Sequence, residues 1–189
     1  MQPGKMRIYG AGGAGINIAN HFDKANNDPL SAEISVSYID TSRSNIPEGV
    51  DSSKAYILDA DGSGKVRKEN YDRILDVAKQ IVLDHPPAEF NVVIFSASGG
   101  SGSVIGPLIL QELLSKDIPT VAIVVGSDES VIAARNSLNT LKSLEGVARK
   151  VSKPAVMFYR HNRRGKPRTD VDQELHEMIS LLAILSSRK

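Results

Sequence analysis

Two runs of small residues carry most of the chemistry that this 189-residue chain can offer. Gly10-Ala11-Gly12-Gly13-Ala14-Gly15 follows the apolar segment Met6–Tyr9, and Ser98-Gly99-Gly100-Ser101-Gly102-Ser103 follows Asn91–Phe95. Glycine lets a backbone approach a ligand closely, and a helix N-terminus offers unpaired N–H groups with a partial positive charge. The spacing Gly10-x-Gly12-x-x-Gly15 matches the dinucleotide fingerprint, and Asp40 ends the next strand-like run about where a ribose-binding acid belongs. A turn of this kind can also exist only to let a helix pack closely on a strand. Asn17 and Asn20, further along, add amides that could reach a base or phosphate. The second run is harder to explain as packing. Its consecutive Ser and Gly residues expose several N–H groups in a row, and the hydroxyls of Ser98, Ser101 and Ser103 add donors for phosphate oxygens or ligands for a bound Mg²⁺. Together the two runs suggest one polyphosphate gripped from two sides. Asp61-Gly62-Ser63-Gly64-Lys65 could close over its end, although the G-x-x-x-x-G-K-[ST] spacing is absent and a plain surface turn is the alternative.

These residues need a frame. Apolar, β-rich runs recur at Met6–Tyr9, Ile34–Ile39, Ala55–Leu58, Val92–Phe95, Val121–Val125 and Ala155–Tyr159. Several are apolar throughout, as strands covered on both faces should be. Between most of them lie helical patterns. Tyr71, Ile74, Leu75, Ala78, Ile81 and Val82 share one face of a helix stopped by Pro86-Pro87; Gly102 to Lys116 and Ser130 to Lys150 read as two more. The alternation predicts an α/β fold: a doubly wound, mostly parallel six-stranded sheet with helices on both faces and ligands at the carboxyl ends of its strands. From Met178 the last helix is apolar nearly all round. That pattern predicts a covering partner, either a second domain or a neighbouring subunit, with a terminal helix tucked into the sheet edge as the alternative.

Composition narrows the class. The chain is 41% hydrophobic and 24% charged with a net charge of +1, which is ordinary for a globular domain and gives no general pull toward nucleic acid or membrane. Absence of cysteine excludes disulfides and thiolate metal sites. No apolar run approaches the ~20 residues of a membrane span, and no signal-peptide core precedes Met6, so a cytoplasmic protein is expected. His21, His85, His161 and His176 are scattered without ligand or triad spacing. The basic run His161 to Arg168 reads as a solvated loop.

The glycine-rich first turn with a following Asn17, the strand-end Asp40-Thr41, and Ser98-Gly-Gly-Ser-Gly-Ser103 with Pro107 four residues later together resemble the tubulin/FtsZ superfamily. The stretch from Ser96 through Asn139 is most similar to the tubulin-like proteins of large bacteriophages and plasmids. The resemblance covers the whole chain as the nucleotide-binding half of such a protein. It implies a Rossmann-like GTPase domain over 1–170, the start of a central helix over 171–189, and a second domain absent from this chain. By that resemblance Gly12, Gly13, Ala14 and Asn17 would lie along the nucleotide, with Asn17 near the base, and Asp40 and Thr41 would flank it. Gly62, Ser63 and Gly64 would sense the γ-phosphate. Ser98, Gly99, Gly100, Ser101, Gly102 and Ser103 would hold the α- and β-phosphates, and Glu129 and Asn162 would approach the ribose. Asp172 would accept hydrogen bonds from guanine N1–H and N2–H₂.

The implied ligands are GTP or GDP with Mg²⁺, with no protein side chain assigned to the metal. The implied partner is a second copy in a head-to-tail polymer that positions or segregates DNA or phage particles in a bacterial host cytoplasm, without direct contact to nucleic acid or membrane. In this family the acidic loop completing hydrolysis follows the central helix and acts on the neighbour's nucleotide. With no such loop and no catalytic residue in these 189 residues, binding with very slow hydrolysis is expected. Two departures stand out: Ala and Ser replace Gly and Thr at several loop positions, and the Glu129 region lacks the cell-division pattern. The competing reading is an NAD-dependent oxidoreductase or NAD-binding regulator, resting on Gly10–Gly15 and Asp40.

Overall fold

The computed structural model describes residues 3–24, 29–58 and 71–187. Six strands form one sheet: β1 (Lys5–Ala11), β2 (Glu33–Asp40), β3 (Ala55–Ile57), β4 (Phe90–Ser96), β5 (Thr120–Ser127) and β6 (Val156–Asn162). Their order is β3-β2-β1-β4-β5-β6, and every neighbouring pair is parallel. Each expected strand is present, so the mostly parallel sheet is here wholly parallel. Five helices accompany it among the described residues: α1 (Gly12–Lys24), α2 (Tyr71–Asp84), α3 (Gly102–Ser115), α4 (Val131–Val151) and α5 (Arg168–Ser186).

The apolar runs bury on both faces because two helical layers cover them. On one face Ile16, Ala19 and Phe22 of α1 and Leu175, Ile179 and Ala183 of α5 meet Met6, Ile8, Ile94 and Ile123. On the other, Ile81 of α2, Ile109 and Leu113 of α3, and Leu144 and Val147 of α4 meet Tyr9, Val93, Phe95 and Val124. Gly106 in α3 lies directly on the Phe95 ring, so a side chain there would collide with a fully buried residue. Ser130 caps α4 by accepting a hydrogen bond from the Ala133 N–H at 3.1 Å, and Ser152 closes it in the left-handed conformation.

The final helix begins at Arg168, three residues earlier than the boundary implied by the resemblance, which places Asp172 in its second turn. Only one face of α5 is covered. Leu181 and Leu185 remain 61% and 70% exposed, so the apolar residues on its outer side have no partner among the described residues.

His85, directly after α2, is buried beside Tyr56, and its carbonyl accepts from the Tyr9 hydroxyl at 2.8 Å. Burial, and secondarily the Arg7 charge, hold its pKa below the ordinary 6.5. The unfolded chain therefore binds this proton first as pH falls. Stability should be complete above pH 6.5 and decline as pH drops from 6.5 toward the lowered folded value. Urea unfolding across that range should follow this slope, and His85→Gln should flatten it.

Candidate functional site

The strand order reverses between β1 and β4, the position at which doubly wound sheets open a crevice at their carboxyl edge. The first glycine-rich run leaves β1 there and the second leaves β4. They touch through their backbones. A Cβ on Gly12, whose φ is +69°, would lie 2.6 Å from the Gly102 nitrogen, and one on Gly102 would lie 2.6 Å from the Ala11 carbonyl oxygen. Only glycine fits both places. Gly10 and Gly15 instead serve packing: a Cβ on Gly10 would lie 2.8 Å from that of Ala19, and one on Gly15 would strike the Ile94 carbonyl. The packing reading of the fingerprint thus applies to Gly10 and Gly15, whereas Gly12 is required where the two turns meet. Gly99 and Gly100 are exposed, and a Cβ on Gly100 would meet nothing within 4 Å, so this stretch of backbone faces open space.

The serines of the second run divide. Ser103 is buried and donates inward to the Gly100 carbonyl at 2.9 Å, and the Ser98 hydroxyl pairs with Ser96 at 3.1 Å. Ser101 makes no side-chain cap on α3. Of the three hydroxyls expected to serve phosphate oxygens or Mg²⁺, that of Ser103 is instead turned to the protein and shapes the turn, because a donor at the first turn of a helix satisfies a nearby carbonyl before it meets solvent. Two residues that the sequence did not flag hold the run from behind. Thr140, fully buried, donates to the Ala97 carbonyl at 2.9 Å, and Asn136 donates to that of Ser98 at 3.3 Å. Their signal was two polar residues four apart on α4, beside an apolar stripe.

Asp40 is 1% exposed and fully engaged. One carboxylate oxygen accepts from the Thr41 N–H at 2.7 Å and its hydroxyl at 3.4 Å; the other accepts from Asn45 at 2.6 Å. The carboxylate therefore shapes the segment after β2 rather than presenting itself to a ribose. That segment brings Asn45 to Gly13, where a Cβ would lie 3.4 Å from the Asn45 amide. Asn45 went unrecognised in the sequence. Asn20 is likewise committed, accepting from the Tyr38 hydroxyl at 3.2 Å, whereas Asn17 is exposed beyond Gly13 and the exposed Ala14.

On the far side of the edge, Glu129 accepts from Arg168 at 2.9 Å and from the Ser127 hydroxyl at 3.0 Å. Those bonds, Arg168 first, hold its carboxyl below the usual range. Arg168 thus leaves the expected solvated loop to make an ion pair. Asn162 ends β6, and its Oδ1 is buried with no hydrogen-bond partner among the described residues. Asp172 is half-buried; burial raises its pKa, with His21 and Arg168 pulling the other way. It therefore sits within electrostatic reach of α1, on which His21 lies one turn after Asn17. Gly62, Ser63 and Gly64 lie outside the described residues.

A parallel sheet in this order, with two glycine-rich turns meeting at its switch point, defines a Rossmann-like α/β domain. No family model matches the chain. A phage tubulin-like protein of Pseudomonas phage phiKZ is 33% identical over 198 residues, covering 98% of this chain and 58% of that relative. The solved protofilament of TubZ from bacteriophage PhiKZ superposes with a TM-score of 0.84 at 34% identity, covering 97% of this chain and 57% of the other. The phage tubulin PhuZ, solved with GDP, gives 0.81 at 29% identity, again over 97% of this chain and 57% of the other. The chain is a member of the tubulin/FtsZ superfamily. It spans little more than half the length of the relatives it matches.

Proposed function

We propose that this chain binds GTP and GDP with Mg²⁺ at the edge where the two glycine-rich turns meet, and that it works within a filament-forming, tubulin-like GTPase. The observation that carries the reading is the backbone contact between Gly12 and Gly102, which makes one anion cradle from two helix N-termini. The backbone N–H groups of Gly99, Gly100 and Ser101 would take phosphate oxygens. Asn162 Oδ1, a buried acceptor lacking a donor, suits a ribose hydroxyl. Asn17 and Asp172 would flank the base. Mg²⁺ would be held mainly by phosphate oxygens and water, as is usual for this ion. The GDP found with the phage tubulin PhuZ supports the choice of nucleotide, and the PhiKZ protofilament supports head-to-tail self-assembly.

The apolar residues exposed on α5 would be covered by a further domain or a neighbouring subunit. Hydrolysis would be completed across the subunit contact, so the isolated chain should turn over far below the ~1–10³ s⁻¹ of ordinary enzymes. The polymer would position or segregate DNA or phage particles in the host cytoplasm. The dinucleotide alternative is disfavoured by Asp40, whose buried carboxylate is fully used within the chain.

Thermal unfolding tests the reading. With Mg²⁺ present, GTP or GDP at about a hundred times its dissociation constant should stabilise the chain by roughly 2.7 kcal/mol, whereas ATP and NAD⁺ should not. Stabilisation by NAD⁺ alone would transfer the site to the dinucleotide reading.

A further inference from the structure

A second polar cavity, of about 360 Å³, opens at the opposite end of the sheet. Arg7, early in β1, lines it together with Ile34, Ser35 and Val36 of β2, Lys54 before β3, and His85 after α2. Arg7 lies four residues before Ala11, or about 13 Å along the strand from the glycine-rich turns.

Of the two cations lining this cavity, Lys54 is paired with Asp23, and Arg7 has no counter-ion among the described residues. The Arg7 guanidinium is half-buried and donates to the Ser37 hydroxyl at 2.8 Å, while its Nε–H is a buried donor with no acceptor among the described residues. It makes no ion pair among them. Of the two acids lining the cavity, Asp23 pairs with Lys54 at 2.6 Å and accepts from the Tyr38 hydroxyl at 3.1 Å, and Asp84 accepts from Gln80 at 2.7 Å while its charge acts on the His85 ring; neither pairs with Arg7. Burying an arginine charge without a partner is costly, and the planar guanidinium fork matches an oxyanion better than any other ligand class. His85 adds a second group that an anion would favour in its charged form. Arg7 is the larger of the two charges acting on that ring, and it acts to lower the pKa.

We propose that this cavity binds a small oxyanion, carboxylate or phosphate, against Arg7 with His85 alongside. The site is separate from the nucleotide edge and does not depend on what binds there. It would take an acidic metabolite or the acidic end of a side chain or peptide.

The test is an NMR titration of the ¹⁵N-labelled chain with inorganic phosphate in one arm and succinate in the other, read at the Arg7 Nε–H and the His85 ring. A saturable change at both groups supports the site, and the arm that produces it identifies the source. In Arg7→Gln the dissociation constant read at His85 should weaken by about tenfold or more, the loss of a charge-assisted pair. Where Arg7→Gln does not fold, Arg7→Lys keeps the charge without the fork and should still weaken binding measurably. No saturable change with either anion, or equal affinity in the variants, overturns the proposal. Phosphate taken up by the glycine-rich turns would move their amides and leave Arg7 and His85 unchanged, which likewise overturns it.

Discussion

Substituting Gly102 by alanine should unfold the chain at distinctly lower denaturant than the parent and remove nucleotide binding with it. The new Cβ would lie 2.6 Å from the Ala11 carbonyl oxygen, a backbone atom that cannot step aside without moving the end of β1. Overpacking of this kind costs about 1–3 kcal/mol. Gly12→Ala meets the same wall from the other side, 2.6 Å from the Gly102 nitrogen, and adds about 1–2 kcal/mol for forcing a side chain into the left-handed backbone region. Because both residues share one contact, the double variant should cost less than the sum of the two, with a coupling of about 0.5–3 kcal/mol. Gly100→Ala is the control. Nothing lies within 4 Å of its Cβ position, so stability should hold within about 0.5 kcal/mol. Any loss of nucleotide affinity there would reflect ligand contact alone. Urea unfolding of the four variants beside the parent decides the matter, and a Gly102→Ala chain as stable as the parent would mean that the turns do not meet as described.

Asp172→Ala should abolish the preference for guanine while leaving phosphate binding largely intact. A carboxylate facing guanine N1–H and N2–H₂ makes a bidentate pair, and such pairs carry about 1–3 kcal/mol of base discrimination. GTP affinity should therefore fall by about 5- to 150-fold and ATP affinity stay nearly constant. Calorimetric titration with both nucleotides measures this directly; equal losses for GTP and ATP would show that Asp172 does not read the base. The environment of Asp172 adds a pH signature. Burial raises its pKa above the ordinary 3.8, so guanine binding should weaken, as pH falls, sooner than an unperturbed carboxylate would require. Asp172→Asn should remove that dependence.

Much of the frame was legible before any coordinates. Runs such as Val92–Phe95 and Val121–Val125, apolar without alternation, have no stable place except between two helical layers, which compels a parallel sheet. The breaks at Pro86-Pro87 and Pro119, and the cap at Ser130, bounded the helices closely for the same local reason: proline and a hydroxyl cap act on their own turn. The start of α5 was less legible. Arg168 joins the helix while pairing with Glu129, 39 residues away, an interaction that no local pattern encodes.

Glycine spacing announced two phosphate-type turns, because the need for close backbone approach is written in residue size alone. It could not say which glycines meet at the crevice and which serve packing within the domain. That division, Gly12 and Gly102 at the crevice against Gly10 and Gly15 in the packing, follows from the strand order, which sets β1 beside β4 although Gly12 and Gly102 lie 90 positions apart in the chain. Asp40 makes the same point about charge. By sequence it was a free acid at a strand end; in the fold Thr41 and Asn45 enclose it, and a buried carboxylate must spend its lone pairs on the donors nearest to hand. Thr140, Asn136 and Asn45 acquired their roles in the same way. Local sequence determined which segments became strands, helices and glycine-rich turns. Which polar side chains remained free to meet a ligand was decided only when distant segments closed around them, because satisfaction of a buried donor or acceptor is a property of the assembled neighbourhood.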